Sequence, residues 1–246
     1  MIPKKIHYCW FGRNPLPEDA LKCIASWRKF LPGYEIIEWN EDNFDIDAIP
    51  YTSQAYLAKK YAFVSDYARF KILYENGGLY FDTDVELIRP LDDIIERGAF
   101  MGIEKSFATT KGKGWIGVNA GLGLGAEPGL PIYKKVLDFY RKRSFERETS
   151  TVVTNVTQLL ILEGLNNENK IQDVAGVRIY PTEYFCPMDS ITGVVDITPS
   201  TVSIHHYSCS WIDHKSLSYR LHALKKKMIK IFGAKFIMKI VSIIKH

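Results

Sequence analysis

The opening of the chain alternates between two periods. Residues Lys5 to Phe11, KIHYCWF, form an apolar run of strand length. Pro15 and Pro17 close it, and from Glu18 to Phe30 apolar Leu21, Ile24, Ala25 and Trp27 recur at helical spacing. A Pro32-Gly33 turn leads into a second strand, Tyr34 to Trp39. Strand–helix–strand is the start of an α/β sheet.

The rest continues in that style. Tyr51 to Asn76 reads as a long helical stretch of one or two helices, closed by Gly77-Gly78, and Leu79 to Phe81 reads as the next strand. Further strands are expected at Phe100 to Ile103 and along the glycine-rich stretch Trp115 to Gly125. Leu130 to Arg143 and Val152 to Gly164 read as helices, and Gly176 to Tyr207 as short strands and turns. Leu217, Leu221, Leu224, Met228 and Ile231 carry helical spacing into a last segment that runs to Ile244.

Charge divides the chain. From Lys215 onward there are nine Lys/Arg and no Asp/Glu, which leaves the remainder with 23 basic against 28 acidic residues. The expected organisation is therefore an acidic body, residues 1–213, and a basic amphipathic helical tail, residues 214–246. Such a tail either contacts an anionic membrane through residues 215–246 or docks on the domain with its lysines in water. An acidic body and a tail without a recognised motif argue against nucleic acid. No apolar run reaches the roughly 20 residues of a membrane span, and the N-terminus shows no secretory signal. Cys9, Cys23, Cys186 and Cys209 form no CxxC pair and read as reduced thiols. The expected location is the cytoplasm, with peripheral contact at the inner face of the plasma membrane if the tail binds there.

Candidate chemistry gathers at the end of the 79–81 strand. Asp82 and Asp84 follow an apolar run with one residue between them. At the C-terminal edge of an α/β sheet, where ligands bind, two close carboxylates call for a compensating cation. A hard divalent ion, Mn²⁺ or Mg²⁺, that also meets substrate phosphates answers the requirement. The plainer alternative is an acidic turn. Upstream, Asp66 and Arg69 share one face of an otherwise apolar helix, either as a surface ion pair or as a half-buried grip for hydroxyls and phosphate oxygens.

The stretch FVSDYARFKILYENGGLYFDTDVE, residues 63–86, resembles the signature of the DXD-containing sugar transferases of glycosyltransferase family 32, and is similar to the catalytic domain of the large clostridial glucosylating toxins. The matching features are the S-D-x-x-R pair, G-G-x-Y and D-x-D. The opening IPKKIHYCWFG, residues 2–12, also resembles that family's first strand, so the likeness covers about residues 1 to 125.

The resemblance implies an α/β fold of GT-A type, a Rossmann-like mixed sheet flanked by helices. It also implies metal-dependent retaining transfer of a hexose or N-acetylhexosamine from a nucleotide sugar, most readily UDP-linked. The acceptor would be a glycan or lipid-linked molecule of capsule or lipopolysaccharide synthesis. By the same resemblance Trp10 would stack on the donor base, with the backbone near Cys9 reading its edge. Asp66 and Arg69 would hold donor-sugar hydroxyls, Tyr80 would line the nucleotide pocket, Asp82 would contact ribose and sugar, and Asp84 would ligate the metal. Asn119, in VNAGLGLGAEPG (118–129), would bond sugar hydroxyls. In IHHYSCSW (204–211), His206 would be a further metal ligand, with His205 taking its place if the register shifts, and Ser210 and Trp211 would close over the diphosphate. Trp10, Tyr80 and Asn119 have core roles as alternatives. One departure stands out: the family's mid-helix Gly-Pro is absent from TVVTNVTQLL (151–160), where Thr154 and Thr157 stand in the region that borders the acceptor.

The expected catalytic residues are therefore Asp82, Asp84 and Arg69. Two other classes fit parts of the pattern: a non-catalytic nucleotide-sugar or glycan-binding protein on the same fold, and a haloacid dehalogenase-type phosphohydrolase with Asp82 as nucleophile. The latter family places its acidic motif on the first strand, whereas here a strand–helix–strand precedes it.

Overall fold

A computed structural model describes residues 1–104, 116–145, 150–190 and 192–208. The expected basic helix, Ser210, Trp211 and Cys209 lie outside the described residues.

Strand β1 (Lys5–Cys9) leads through the proline pair into α1 (Glu18–Phe30), which has the bounds that the apolar spacing predicts. Glu18 and Asp19 sit in its first turn and Arg28 and Lys29 in its last, each complementing the helix dipole. Ala20, Cys23, Ile24 and Trp27 form its buried face. Strand β2 (Glu35–Trp39) runs parallel to β1, in register from Lys5↔Glu35 to Cys9↔Trp39.

The long helical stretch divides into α2 (Pro50–Leu57) and α3 (Tyr61–Asn76). The break falls at Lys59, whose φ of 57° places it in the left-handed region. Helix α3 is buried over most of its middle, charged Asp66 and Arg69 included. It stops at Gly77, whose φ is 62° and whose N–H donates to the Leu73 carbonyl at 2.8 Å. Gly78 begins β3 (Gly78–Tyr80) pressed against β1: a Cβ there would lie 2.8 Å from the Lys5 carbonyl oxygen.

After the acidic turn come β4 (Val85–Leu87), α4 (Asp92–Ile95), β5 (Phe100–Glu104), β6 (Gly117–Asn119) and β7 (Leu124–Ala126). Then follow α5 (Pro131–Arg141), α6 (Val152–Leu162), β8 (Gln172–Val174), β9 (Val177–Tyr180), α7 (Thr182–Phe185) and β10 (Ser203–His205). The main sheet has the order β2-β1-β3-β7-β5-β9-β8, with β6 also paired to β5. Pairs β1/β2, β1/β3 and β5/β9 are parallel; β7 is antiparallel to both β3 and β5. Strands β3 and β5 therefore point the same way, and their C-terminal ends share one edge.

The Trp115 to Gly125 stretch was expected as one strand. Its described part, from residue 116 onward, is instead two short strands with residues 120–123 looped out between them. Both β6 and β7 pair antiparallel with β5, at Gly102↔Asn119 and Phe100↔Gly125. A second sheet joins β4 to β10, aligning His205 with Val85.

Apolar clusters cover both faces of the main sheet. One packs α2, α3, α5 and α6 through Tyr51, Tyr67, Phe70, Tyr133, Val136 and Leu160. The other packs α1, β4 and α7 through Ile24, Trp27, Phe81, Val85 and Phe185. The Trp27 indole N–H, buried with its ring, donates to the Val85 carbonyl at 2.7 Å. Beneath β1, the buried His7 ring bridges elements: its Nε2 bonds the Gly77 carbonyl at 3.0 Å and its Nδ1 accepts from the Trp39 indole at 3.0 Å. That pairing requires the neutral imidazole, and burial lowers its pKa to about 4. Among the described residues no helix is long and apolar enough to cross a membrane.

Candidate active site

Asp66 and Arg69 lie one helical turn apart on α3, so their side chains meet. The Arg69 guanidinium donates through NH2 to Asp66 Oδ1 at 3.1 Å, and its Nε donates to the Ser65 carbonyl at 2.9 Å. Its NH1 reaches the Asp82 carboxylate at 3.4 Å. The guanidinium also lies 5.0 Å from the centre of the Tyr80 ring. All but 3% of the Arg69 side chain is out of water, so its charge needs both carboxylates. Burial raises the Asp66 carboxyl to about 7, with Arg69 opposing the rise and Asp82 adding to it.

Strand β3 ends at Tyr80, and a turn through Thr83 and Asp84 separates it from β4. The turn gives the two aspartates different surroundings. Asp82 Oδ1 accepts from the Tyr80 hydroxyl at 3.0 Å, and its side chain stays 31% exposed, open to a ligand. Burial raises its pKa, Arg69 opposes the rise, and nearby Asp84 adds to it. Asp84 is bound from the other side: Ser208 donates through its backbone N–H at 2.8 Å and its hydroxyl at 2.9 Å, both to Oδ2. The His205 Nε2 lies 3.1 Å from Asp84 Oδ1. Burial by itself would raise the Asp84 pKa; the His205 charge and these hydrogen bonds outweigh it and hold the carboxyl well below its ordinary range. For His205 burial pulls the pKa down, but Asp84 facing it raises it above the ordinary value.

The two histidines part at this point. The family resemblance implies His206 on the metal, with His205 taking its place if the register shifts. The β4–β10 ladder turns His206 outward, where its Nε2 pairs with Glu86 Oε2 at 2.8 Å, and turns His205 inward. Asp82, Asp84 and His205 each offer one ligand atom, all within 4.8 Å of one another. His206 is therefore corrected to His205 as the histidine of this cluster. Two carboxylates and one imidazole make a donor set that fits a hard divalent ion. The buried His205 Nδ1 has no hydrogen-bond partner among the described residues.

Asn119 occupies the end of β6. Its Nδ2 donates to Glu104 Oε2 at 2.8 Å and its Oδ1 accepts from the Gly121 N–H at 2.6 Å. The Gly121 carbonyl in turn accepts from the Asp82 N–H at 3.2 Å. The amide expected to meet sugar hydroxyls thus also braces the looped-out segment beside Asp82. Trp10 lies at the end of β1 in a cleft it lines with Arg13, Asn14, Pro15, Glu38, Asn40 and Glu41, its indole N–H donating to the Asn14 carbonyl at 2.6 Å. Cys9, one residue before it, is buried and feels the charges of Arg69 and Asp82.

The structure therefore brings together Asp66, Arg69, Tyr80, Asp82, Asp84 and, through Gly121, Asn119. Ser208 and Glu104 join them without having been singled out. Strand position alone could have flagged Glu104, the last residue of FMGIE.

Residues 17–101 match the profile of the glycosyltransferase sugar-binding region containing the DXD motif. The chain is 27% identical over 121 residues to Subversion of eukaryotic traffic protein A of Legionella pneumophila, an alignment covering 38% of this chain and 19% of that protein. It is 29% identical over 111 residues to inositol phosphoceramide mannosyltransferase 1 of Schizosaccharomyces pombe, covering 41% and 33% respectively. The chain thus spans no more than a third of the length of either relative. Among solved structures, PaToxG glycosyltransferase aligns over 66% of this chain and 70% of its own, with a TM-score of 0.51 at 20% identity. The mixed sheet with helices on both faces is the GT-A architecture, and the resemblance to DXD-containing sugar transferases holds.

Proposed function

We propose, for a chain that carries the DXD-containing glycosyltransferase region on a GT-A fold, that it is a metal-dependent retaining glycosyltransferase. It moves a hexose or N-acetylhexosamine from a nucleotide sugar, UDP-linked, to a glycan or lipid-linked acceptor in surface polysaccharide synthesis. The observation that carries this reading is the convergence of Asp82, Asp84 and His205 within 4.8 Å, beside the buried Asp66–Arg69 pair. The S. pombe relative, whose name gives an inositol phosphoceramide, supports a lipid-linked acceptor.

Asp84, His205 and Asp82 would hold Mn²⁺ or Mg²⁺, which when bound supplies charge to stabilise the departing nucleoside diphosphate. The remaining roles belong to the chain. Trp10 stacks on the base in its cleft. Arg69 holds Asp82 and Asp66 in place, and these two meet hydroxyls of ribose and donor sugar. The Tyr80 hydroxyl fixes the Asp82 rotamer by its bond to Oδ1. Ser210 and Trp211, expected by resemblance to close over the diphosphate, lie outside the described residues.

Each aspartate of the cluster is already engaged: Asp66 by Arg69, Asp82 by Arg69 and Tyr80, Asp84 by His205 and Ser208. With these three carboxylates committed to holding one another and the cation, the reading is front-face displacement without a covalent intermediate on them. In that route the leaving phosphate oxygen takes the acceptor's proton. Catalysis rests on charge stabilisation and on positioning.

The test is a panel of UDP- and GDP-sugars with Mn²⁺, scored by sugar and nucleoside diphosphate release. One donor should be cleaved, with the activity lost on chelation and in Asp84→Asn. A folded protein that neither binds nor cleaves any nucleotide sugar overturns the reading. The membrane role of residues 215–246 is tested by sedimenting the full chain with anionic vesicles against a truncation before Lys215; equal recovery in both supernatants rejects it.

A further inference from the structure

Glu104 is a carboxylate to which the reading above gives no task. It is the last residue of β5, half-buried, at the same sheet edge as Asp82. Its Oε2 is tied to Asn119 Nδ2, while Oε1 has no hydrogen-bond partner among the described residues. Burial raises its pKa, with the Asn119 bond and the His205 charge opposing the rise. Tyr207 also feels its charge. Asn119 links Glu104 to the site: its Nδ2 holds Glu104, while its Oδ1 and Asp82 Oδ2 lie 3.0 and 2.1 Å from where a Gly121 Cβ would be.

Its place along the edge decides what that atom meets. The sheet order runs β2, β1, β3, β7, β5. Trp10 follows β1, Asp82 follows β3, and Glu104 ends β5 two strands beyond β3, about 10 Å away at ordinary strand spacing. A donor with its base in the Trp10 cleft and its diphosphate at Asp84 presents its sugar toward β7. Glu104, at the end of β5, is one strand further along that edge. On this same side, the Val153 side chain of α6 crowds Gly117, 2.7 Å from where its Cβ would lie, while Glu104 Cγ and Oε1 lie in ordinary contact at 3.5 and 3.7 Å from that point.

We propose that Glu104 is the acceptor-binding carboxylate: its Oε1, unpaired among the described residues, accepts a hydrogen bond from a hydroxyl of a sugar or polyol acceptor, across Asp82 from the Trp10 cleft. This rests on the transferase reading above. Asn119 holds the other oxygen, so the carboxylate arrives pre-oriented and loses little freedom on binding. The acceptor class is polyhydroxylated and uncharged at the contacted position, since an anionic group would be repelled.

The experiment uses Glu104→Gln in the full chain. The amide can keep the Asn119 bond through its oxygen while the second acceptor becomes a donor. With a radiolabelled nucleotide sugar and Mn²⁺, two products are counted: free sugar, where water is the acceptor, and label transferred to a membrane and glycan extract. Transfer should fall about tenfold or more beyond any change in hydrolysis, through a higher KM for extract, and Glu104→Asp should recover part of the loss. A transfer-to-hydrolysis ratio equal to wild type overturns the proposal, as does wild-type protein whose only acceptor is water. Parallel loss of both products also overturns it, because that marks a donor-side or structural residue. Wild-type protein that cleaves no donor at all overturns the transferase reading instead, so the two failures are distinct.

Discussion

The Cβ that Gly121 lacks would fall 2.1 Å from Oδ2 of Asp82. The looped-out segment between β6 and β7 is thus shaped around a carboxylate, and the missing methyl is the room that carboxylate occupies. Gly121→Ala forces Asp82 away from Arg69 and Tyr80. Donor cleavage should drop about a hundredfold, as expected for an ångström-scale displacement of a site group. The check is kcat/KM together with a melting curve; near-normal turnover would show that Asp82 does not need its present place.

His205 and His206 should separate cleanly. His205→Ala removes the inward imidazole and should weaken Mn²⁺ binding by about tenfold or more, as does loss of groups that hold a metal site. His206→Ala removes an exposed pair with Glu86 and should change stability by less than about 1 kcal/mol. Mn²⁺ titration followed by electron paramagnetic resonance compares the two. Equal losses would contradict the geometry at the β4–β10 ladder.

Arg69 is a structural charge as well as a site charge. Arg69→Ala leaves Asp66 and Asp82 without their cation, and should destabilise the fold by about 3 to 5 kcal/mol. Arg69→Ala combined with Asp66→Asn should recover part of that, because one uncompensated carboxylate is gone. Urea denaturation of the three proteins measures it, and a single variant as stable as wild type would refute the buried pairing.

His7 makes stability depend on acidity. Its pKa is about 4 in the folded chain against an ordinary 6.5. Above 6.5 the ring is neutral in both states and its contribution is whole. Between 6.5 and 4 the unfolded chain takes up a proton that the folded chain refuses, so stability falls as pH falls. The loss from this group approaches about 3 kcal/mol near pH 4. His7→Gln should flatten that part of the pH profile in urea titrations at pH 7 and pH 4.5; an unchanged slope would assign it to other groups.

What the sequence shows and what it hides follow from range. Helix α1 and the parallel β1/β2 pair are legible because their apolar periods are local. Gly77-Gly78 announces the end of α3 because only glycine takes its backbone angles cheaply. The β4, β8 and α4 elements are three or four residues long, too short to carry a period. The split of one glycine-rich strand into β6 and β7 depends on where Asp82 needs room, a contact made 39 residues away in sequence. The identity of the inward histidine depends on register with β4, which nothing near residue 205 specifies. Asp66, Arg69, Asp82 and Asp84 are legible because their spacing is itself the signature. Ser208 has no spacing to betray it, Glu104 has only its place at a strand end, and the assembled edge shows what each faces.

The clasp between Asp84 and Ser208 spans 124 positions of chain. During synthesis the acidic turn leaves the ribosome long before the segment that covers it. A nascent chain therefore carries an open, repelling pair of aspartates through most of its elongation. Until the chain is made through residue 208, Asp84 lacks the Ser208 and His205 partners that hold it, and a chain cut short before β10 would keep much of its core yet lack that side of the acidic cluster.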